Sequence, residues 1–151
     1  MSRSLAFFQC MRGHTLAELV AVLSLLAIGT ASLAPTARTY RDRIAVLSAR
    51  ESIAGLLSEA RAAALAHGEG SVVIKPTPWR AWSATGDSTL RSVALESNWG
   101  VEVVLGAGRD SVAIRYGPLG LGRFASATLI FRRGAASRRL VVSGYGRVRR
   151  D

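Results

Sequence analysis

Two groups of residues in this sequence have the type and spacing to do chemistry. The first is a lone acid, Glu18, inside an otherwise uncharged apolar run that reaches Ala34 and follows the short basic stretch Arg12-Gly13-His14. A carboxylate at membrane depth costs roughly 2.5–3.5 kcal/mol on insertion scales, so Glu18 calls for a cationic partner. The second is a C-terminal set of arginines: Arg132, Arg133, Arg138, Arg139, Arg147, Arg149 and Arg150. Guanidinium forks make bidentate contacts with phosphate oxygens, which would bind nucleic acid such as DNA without base preference. Alternation along a strand predicts Arg147 and Arg149 on one face with Val148 toward the core. Tyr145 beside them is placed to stack on an exposed base. The competing reading of the same arginines is a solvated strand edge that discourages aggregation.

Other residue types offer less. No nucleophile–base pair is evident, and the two histidines and scattered acids lack metal-ligand spacing. Gly117-Pro118-Leu119-Gly120-Leu121-Gly122 is glycine-rich, but it sits between predicted strands and reads as a flexible loop, not a phosphate cradle. Trp79, Trp82 and Trp99 read as packing residues, and His67 as a polar residue closing a helix. No catalytic residue, cofactor or metal is predicted.

The elements that must position these residues follow from the pattern. Leu16 to Ala34 gives roughly twenty residues, enough to cross about 30 Å of hydrocarbon at 1.5 Å per residue. Arg3 and Arg12 precede the run, which predicts a cytoplasmic N-terminus and an extracytoplasmic remainder. Pro35 marks a boundary, after which residues 36–67 keep a helical period. Ile44, Leu47, Ala54, Leu57 and Ala64 form one stripe, widened by Val46, Ile53, Leu56 and Ala60. Gly68 is a plausible stop.

Beyond it the period changes to two. Strands are predicted at Ser71–Lys75, Thr89–Glu96, Val101–Leu105, Ser111–Tyr116, Thr128–Arg132 and Arg139–Ser143, about seven in all across residues 70–150. The fold class expected is α+β. A long N-terminal helix, half for membrane or filament and half amphipathic, packs on an antiparallel, sandwich-like head.

Composition sets bounds on this plan. The 151 residues allow one modest head beyond the helix. Cys10, the only cysteine, lies in the basic leader, so a processed chain would have no disulfide and must rely on its core. At 49% hydrophobic residues, such a core is feasible. The formal net charge is +10, and loss of Arg3 and Arg12 would leave about +8. That excess favours polyanions or anionic surfaces and says nothing of the fold. A genomic bias toward arginine and alanine is another source of it.

The segment Gly13-His14-Thr15-Leu16-Ala17-Glu18-Leu19 resembles the processing site of type IV pilins and type II secretion pseudopilins. His14 stands where that family usually has Phe, and Ala17 where it has Ile. The resemblance implies cleavage by prepilin peptidase after Gly13, leaving residues 1–13 as leader and His14 as a new, N-methylated terminus. It also implies a transmembrane or filament-core helix over 14–35, with Pro35 at the family's kink position, and a head over 36–151. Glu18 would compensate a neighbouring subunit's terminal amine and set the axial stagger, since a buried pair specifies register more than it adds stability.

The order of helix, β head and final Gly146-Arg147-Val148-Arg149 narrows the likeness to the GspH/FimT group of minor pseudopilins and minor pilins. In the secretion branch, the implied role is a subunit near the tip of a type II secretion pseudopilus, anchored in the inner membrane before assembly. Its partners would be the other pseudopilins and the peptidase. In the pilus branch, some members bind DNA for uptake. The residues that would do so here are Arg147, Arg149, Arg150, Arg138 and Arg139. A plain single-pass anchored domain outside any filament is the third reading.

Overall fold

A computed structural model describes residues 15–75, 78–123 and 126–151, with the side chains of 31–35 outside the description. Helix α1 (Leu16–His67) opens on a cap: the Glu18 N–H donates to Thr15 Oγ1 at 3.3 Å. Thr15 thus caps the helix start through its hydroxyl, on the backbone of Glu18. The helix continues through Pro35 and ends at His67, where the Gly68 N–H bonds the Ala64 carbonyl oxygen at 2.8 Å. Among the described residues no helix is long and apolar enough to cross a membrane. The described side chains of the apolar run stop at Thr30, short of the twenty-residue reach read from the sequence.

The chain divides into two compact units, with the second running Arg38–Asp151. In that unit α1 is followed by β1 (Gly70–Lys75), β2 (Arg80–Thr85), β3 (Ser88–Ala94), the short α2 (Leu95–Trp99), β4 (Glu102–Leu105), a 3-10 turn at Gly106–Gly108, β5 (Val112–Tyr116), β6 (Ala127–Arg133), β7 (Ala136–Val142) and β8 (Val148–Arg150). All pairings are antiparallel and build two four-stranded sheets, ordered β3-β2-β1-β5 and β4-β6-β7-β8. The architecture is α+β, with the helix packed on antiparallel sheets.

One hydrophobic cluster joins the helix to both sheets. Val46, Ala49, Ile53, Leu56, Leu57, Ala60 and Ala64 of α1 meet Val72, Ile74 and Ile114 of the first sheet and Leu129, Phe131 and Leu140 of the second. The alternating burial of β1, β5 and β6 is the period-two pattern of strands with one face on a core. Ser83, the one buried polar residue described, donates its hydroxyl to Glu59 Oε2 at 3.1 Å and ties β2 to α1. Where β1 starts, a Cβ on Gly70 would lie 2.0 Å from the Ala60 carbonyl oxygen, so only glycine allows this backbone-to-backbone approach.

Three sequence expectations need correction. The helix stripe holds from Val46 to Ala64 but differs at its start: Ile44 and Leu47 are exposed, while Ala45 and Ala49 face the core. Strand β2 was not anticipated, because its apolar positions alternate with Arg80, Ser83 and Thr85 and give no run. The strand expected over Thr89–Glu96 stops at Ala94, and Leu95–Trp99 turns into α2, closed by Gly100 at φ 59°. Trp79 and Trp99 pack partly buried against the core, whereas Trp82 lies under the Lys75 ammonium, 5.8 Å from its ring centre.

Candidate functional site

The arginine-rich C-terminus is positioned by β6, β7 and β8. Register places Arg132 opposite Ser137, Arg139 opposite Ile130, and Arg149 opposite Val141. Arg132, Arg139 and Arg149 therefore share one sheet face, the one away from buried Leu140 and Val142. They run diagonally over three strands, and diagonal neighbours in a sheet lie about 7–8 Å apart. Arg138 falls on the other face at the exposed end of β7 and donates to the Ser137 carbonyl oxygen at 3.0 Å.

Strand β8 separates its own arginines. Arg149 is 75% exposed and pairs with Asp151 at 3.0 Å, whereas Arg150 pairs with Glu51 of α1 at 3.1 Å. Arg50 adds a bond from its guanidinium to the Asp151 carbonyl oxygen at 3.3 Å. The Arg139 and Asp151 backbones bond each other in both directions at 3.2 Å. Val148 packs against the core, as alternation requires.

Arg147 behaves differently from the expectation. It precedes β8 and lines, with Arg61, Arg150, Ser58, Tyr116 and Leu57, a groove of about 230 Å³ between α1 and the C-terminal strand; Arg149 is not part of that lining. The turn before Arg147 is tightly specified. Ser143 accepts the Arg147 N–H on Oγ at 3.1 Å and donates its own N–H to the Arg147 carbonyl oxygen at 2.9 Å. Gly146 sits at φ 78°, and a Cβ there would lie 2.4 Å from Tyr116 Cε1. The Gly122 N–H bonds the Tyr145 carbonyl oxygen at 2.9 Å, and the Tyr116 hydroxyl donates to the Gly146 carbonyl oxygen at 3.4 Å. Burial pushes the Tyr116 hydroxyl above its ordinary value of 10.0, with the Arg61 guanidinium pulling the other way, so the groove floor stays uncharged at neutral pH.

Not every arginine is available. Arg133 faces inward, pairs with Asp42 of α1 at 2.9 Å and donates to the Trp99 carbonyl oxygen, so it is a packing residue. Tyr145 is 71% exposed. Arg61 was missed by sequence reasoning. It sits on the charged face of α1 far from the C-terminal motif, and only the register of β8 against α1 brings it there. At the other end of the chain, Gly13 and His14 lie outside the described residues, and of Pro35 only its helical backbone is described. Glu18 is exposed in the single chain. Among the described residues no group of acids, histidines or cysteines could hold a metal ion.

A family model described as Type II transport protein GspH matches residues 49–146, from the middle of α1 to the glycine of the C-terminal turn. The chain belongs to the GspH family. Two solved structures share the fold, both of the type IV minor pilin FimU from Pseudomonas aeruginosa PAO1, in space groups P21 and P65. They are 13% and 14% identical with TM-scores of 0.57 and 0.55, covering 70% of this chain and 87% and 91% of theirs. At that identity the likeness establishes the fold, which is pilin-like. No curated protein matches the sequence. The GspH match leaves Glu18 and Pro35 before it and Arg147, Arg149 and Arg150 after it.

Proposed function

We propose that this chain is a minor pseudopilin of a type II secretion pseudopilus. The GspH family match, on a pilin-like helix-and-sheet head, carries the reading. Residues 1–13 are the leader, removed by prepilin peptidase after Gly13, and His14 becomes the methylated terminus. Residues 14–35 hold the subunit in the inner membrane, then pack with other pseudopilins in the filament. The head, 36–151, stands outside the cytoplasm near the filament tip. Glu18 lies four residues beyond the new amine, one turn into the helix, where it offsets the terminal charge of a neighbour. The chain works by assembly rather than catalysis, and needs no cofactor.

The test is Glu18→Ala in a cell carrying the secretion apparatus. Membrane fractionation should find the variant inserted as before, while its share in sheared filaments falls at least tenfold. Unchanged incorporation would remove Glu18 from the register role.

A second reading is favoured by one observation, the exposed diagonal of Arg132, Arg139 and Arg149. A row of guanidiniums about 7–8 Å apart suits a phosphate backbone. On that reading the subunit is a FimT-like minor pilin whose C-terminal arginines, with Arg138 and Arg150 at the margins, hold DNA during uptake. Affinity would then fall with salt along a linear log–log slope, and a salt-independent affinity would sink it.

A further inference from the structure

The outward face of α1, where the helix enters the second unit, carries an apolar stripe that the core does not cover. Tyr40, Ile44 and Leu47 follow i, i+4, i+7 spacing and are 66%, 45% and 44% exposed. At 3.6 residues per turn, Arg41 flanks this stripe on one side and Arg43 on the other, and both are exposed. The nearby acids are already engaged. Asp42 pairs with Arg133 at 2.9 Å. Glu51, one turn beyond Leu47, is held by Arg50 at 2.9 Å and by Arg150 at 3.1 Å. Among the described residues neither Arg41 nor Arg43 has a carboxylate partner. The face is therefore apolar along its centre and positive along both edges, with its neighbouring carboxylates spent inside the head.

Size and charge together limit what can cover it. Three side chains are too few for a free-standing interface, which takes about 20–30 residues a side, so the stripe extends a larger contact. In sequence it follows the apolar run that ends at Ala34, the segment assigned above to filament packing. A second copy of this chain is a poor cover. Packed helices lie about 8–10 Å apart, comparable with a Debye length of about 8 Å, so facing arginine edges would repel with only partial screening. No spare acid stands between them. We propose that this face selects the neighbouring subunit: it seats on a helix of a different filament protein and rejects a second copy of this chain. That helix sets an apolar stripe against Tyr40, Ile44 and Leu47, and carboxylates against Arg41 and Arg43. The proposal rests on the filament reading for where the neighbour comes from, and goes beyond it in naming the neighbour's chemistry. Matched edges that attract and like edges that repel are how helix pairs choose partners. Ile44 and Leu47, left outside the core, thereby have a use.

A charge-swapped copy of the full chain, Arg41→Glu with Arg43→Glu, supplies a defined acidic neighbour. Thermal unfolding checks that these exposed substitutions leave the head folded, and Arg41→Gln with Arg43→Gln is the neutral counterpart. Energy transfer between labelled chains in phosphatidylcholine vesicles measures unaltered, swapped and mixed pairs. At low salt the mixed pair should associate at least about tenfold more tightly than either like pair. At about 1 M salt, where the Debye length shrinks to about 3 Å, the difference should fall within about twofold. The neutral counterpart should pair with itself more tightly than the unaltered chain does, and Ile44→Ser with Leu47→Ser in both partners should weaken the mixed pair. Equal transfer in all pairings would overturn selection by charge, and tighter pairing of the unaltered chain with itself would make a second copy the occupant. Mixed pairing that disappears when phosphatidylglycerol is included would give the face to lipid headgroups and overturn the helix partner. In cells carrying the secretion apparatus, the swapped chain should insert in the membrane but fall at least about tenfold in sheared filaments. Mixed pairing with unchanged incorporation would overturn the face's place in the filament. Absence of the unaltered chain from filaments would overturn the filament reading itself and leave the charge preference standing.

Discussion

Gly146 shows how much of the C-terminal chemistry depends on a residue without a side chain. It occupies the left-handed region, it packs on the Tyr116 ring, and its neighbour across the contact is Gly122, whose own Cβ would lie 2.5 Å from the Gly146 nitrogen. Gly146→Ala combines left-handed strain with overpacking, each about 1–3 kcal/mol, so the head should lose at least about 2 kcal/mol. Urea unfolding checks this, and a midpoint unchanged from the wild type would mean the turn can relax. The glycine was legible in the sequence only as the first letter of Gly-Arg-x-Arg. Its reason, a Tyr116 ring thirty residues away in sequence, was not. Arg61 escaped for the same cause: nothing in a mixed-charge helix face shows which arginine will meet a strand that lies far along the chain.

Among the elements, strands with strict alternation were readable, and β1, β5 and β6 fall within a residue or two of their expected bounds. The helix stripe was readable in period and in phase from Val46 to Ala64, and only Ile44 and Leu47 at its start were misplaced. Ile44 and Leu47 are larger than Ala45 and Ala49, yet the sheets approach closely enough that the small side chains take the buried positions. Arg133 illustrates a contact that no periodicity reveals, since its partner Asp42 belongs to α1 and its second acceptor to α2. With both partners about a quarter exposed, Asp42→Asn should cost about 1–2 kcal/mol, between the values for surface and buried pairs. A double-mutant cycle with Arg133→Met measures it, and a coupling near zero would assign Arg133 to the Trp99 bond alone.

At the scale of the whole molecule, the core among the described residues begins at Ala45 and draws nothing from the first unit. A chain starting at Arg38 should therefore unfold within about 3 °C of the full chain, and a larger drop would show that the N-terminal segment supports the head. The α+β class was legible because the apolar period changes from helical to two after Gly68, and the pilin-like reading came from the likeness of residues 13–19 and the final Gly-Arg-Val-Arg to a known family, whereas the order of strands in each sheet depends on contacts distant in sequence. Strand β8 is only three residues long and lies at a sheet edge. Taken alone, such a strand would peel away one hydrogen bond at a time, like a zip. Here it is stitched to β7 by its ladder, to α1 through Arg150 and Arg50, and to the first sheet through Gly146 and Tyr145. Freeing the C-terminus therefore means breaking a strand ladder, two helix contacts and a turn contact, seams that reach both sheets and the helix.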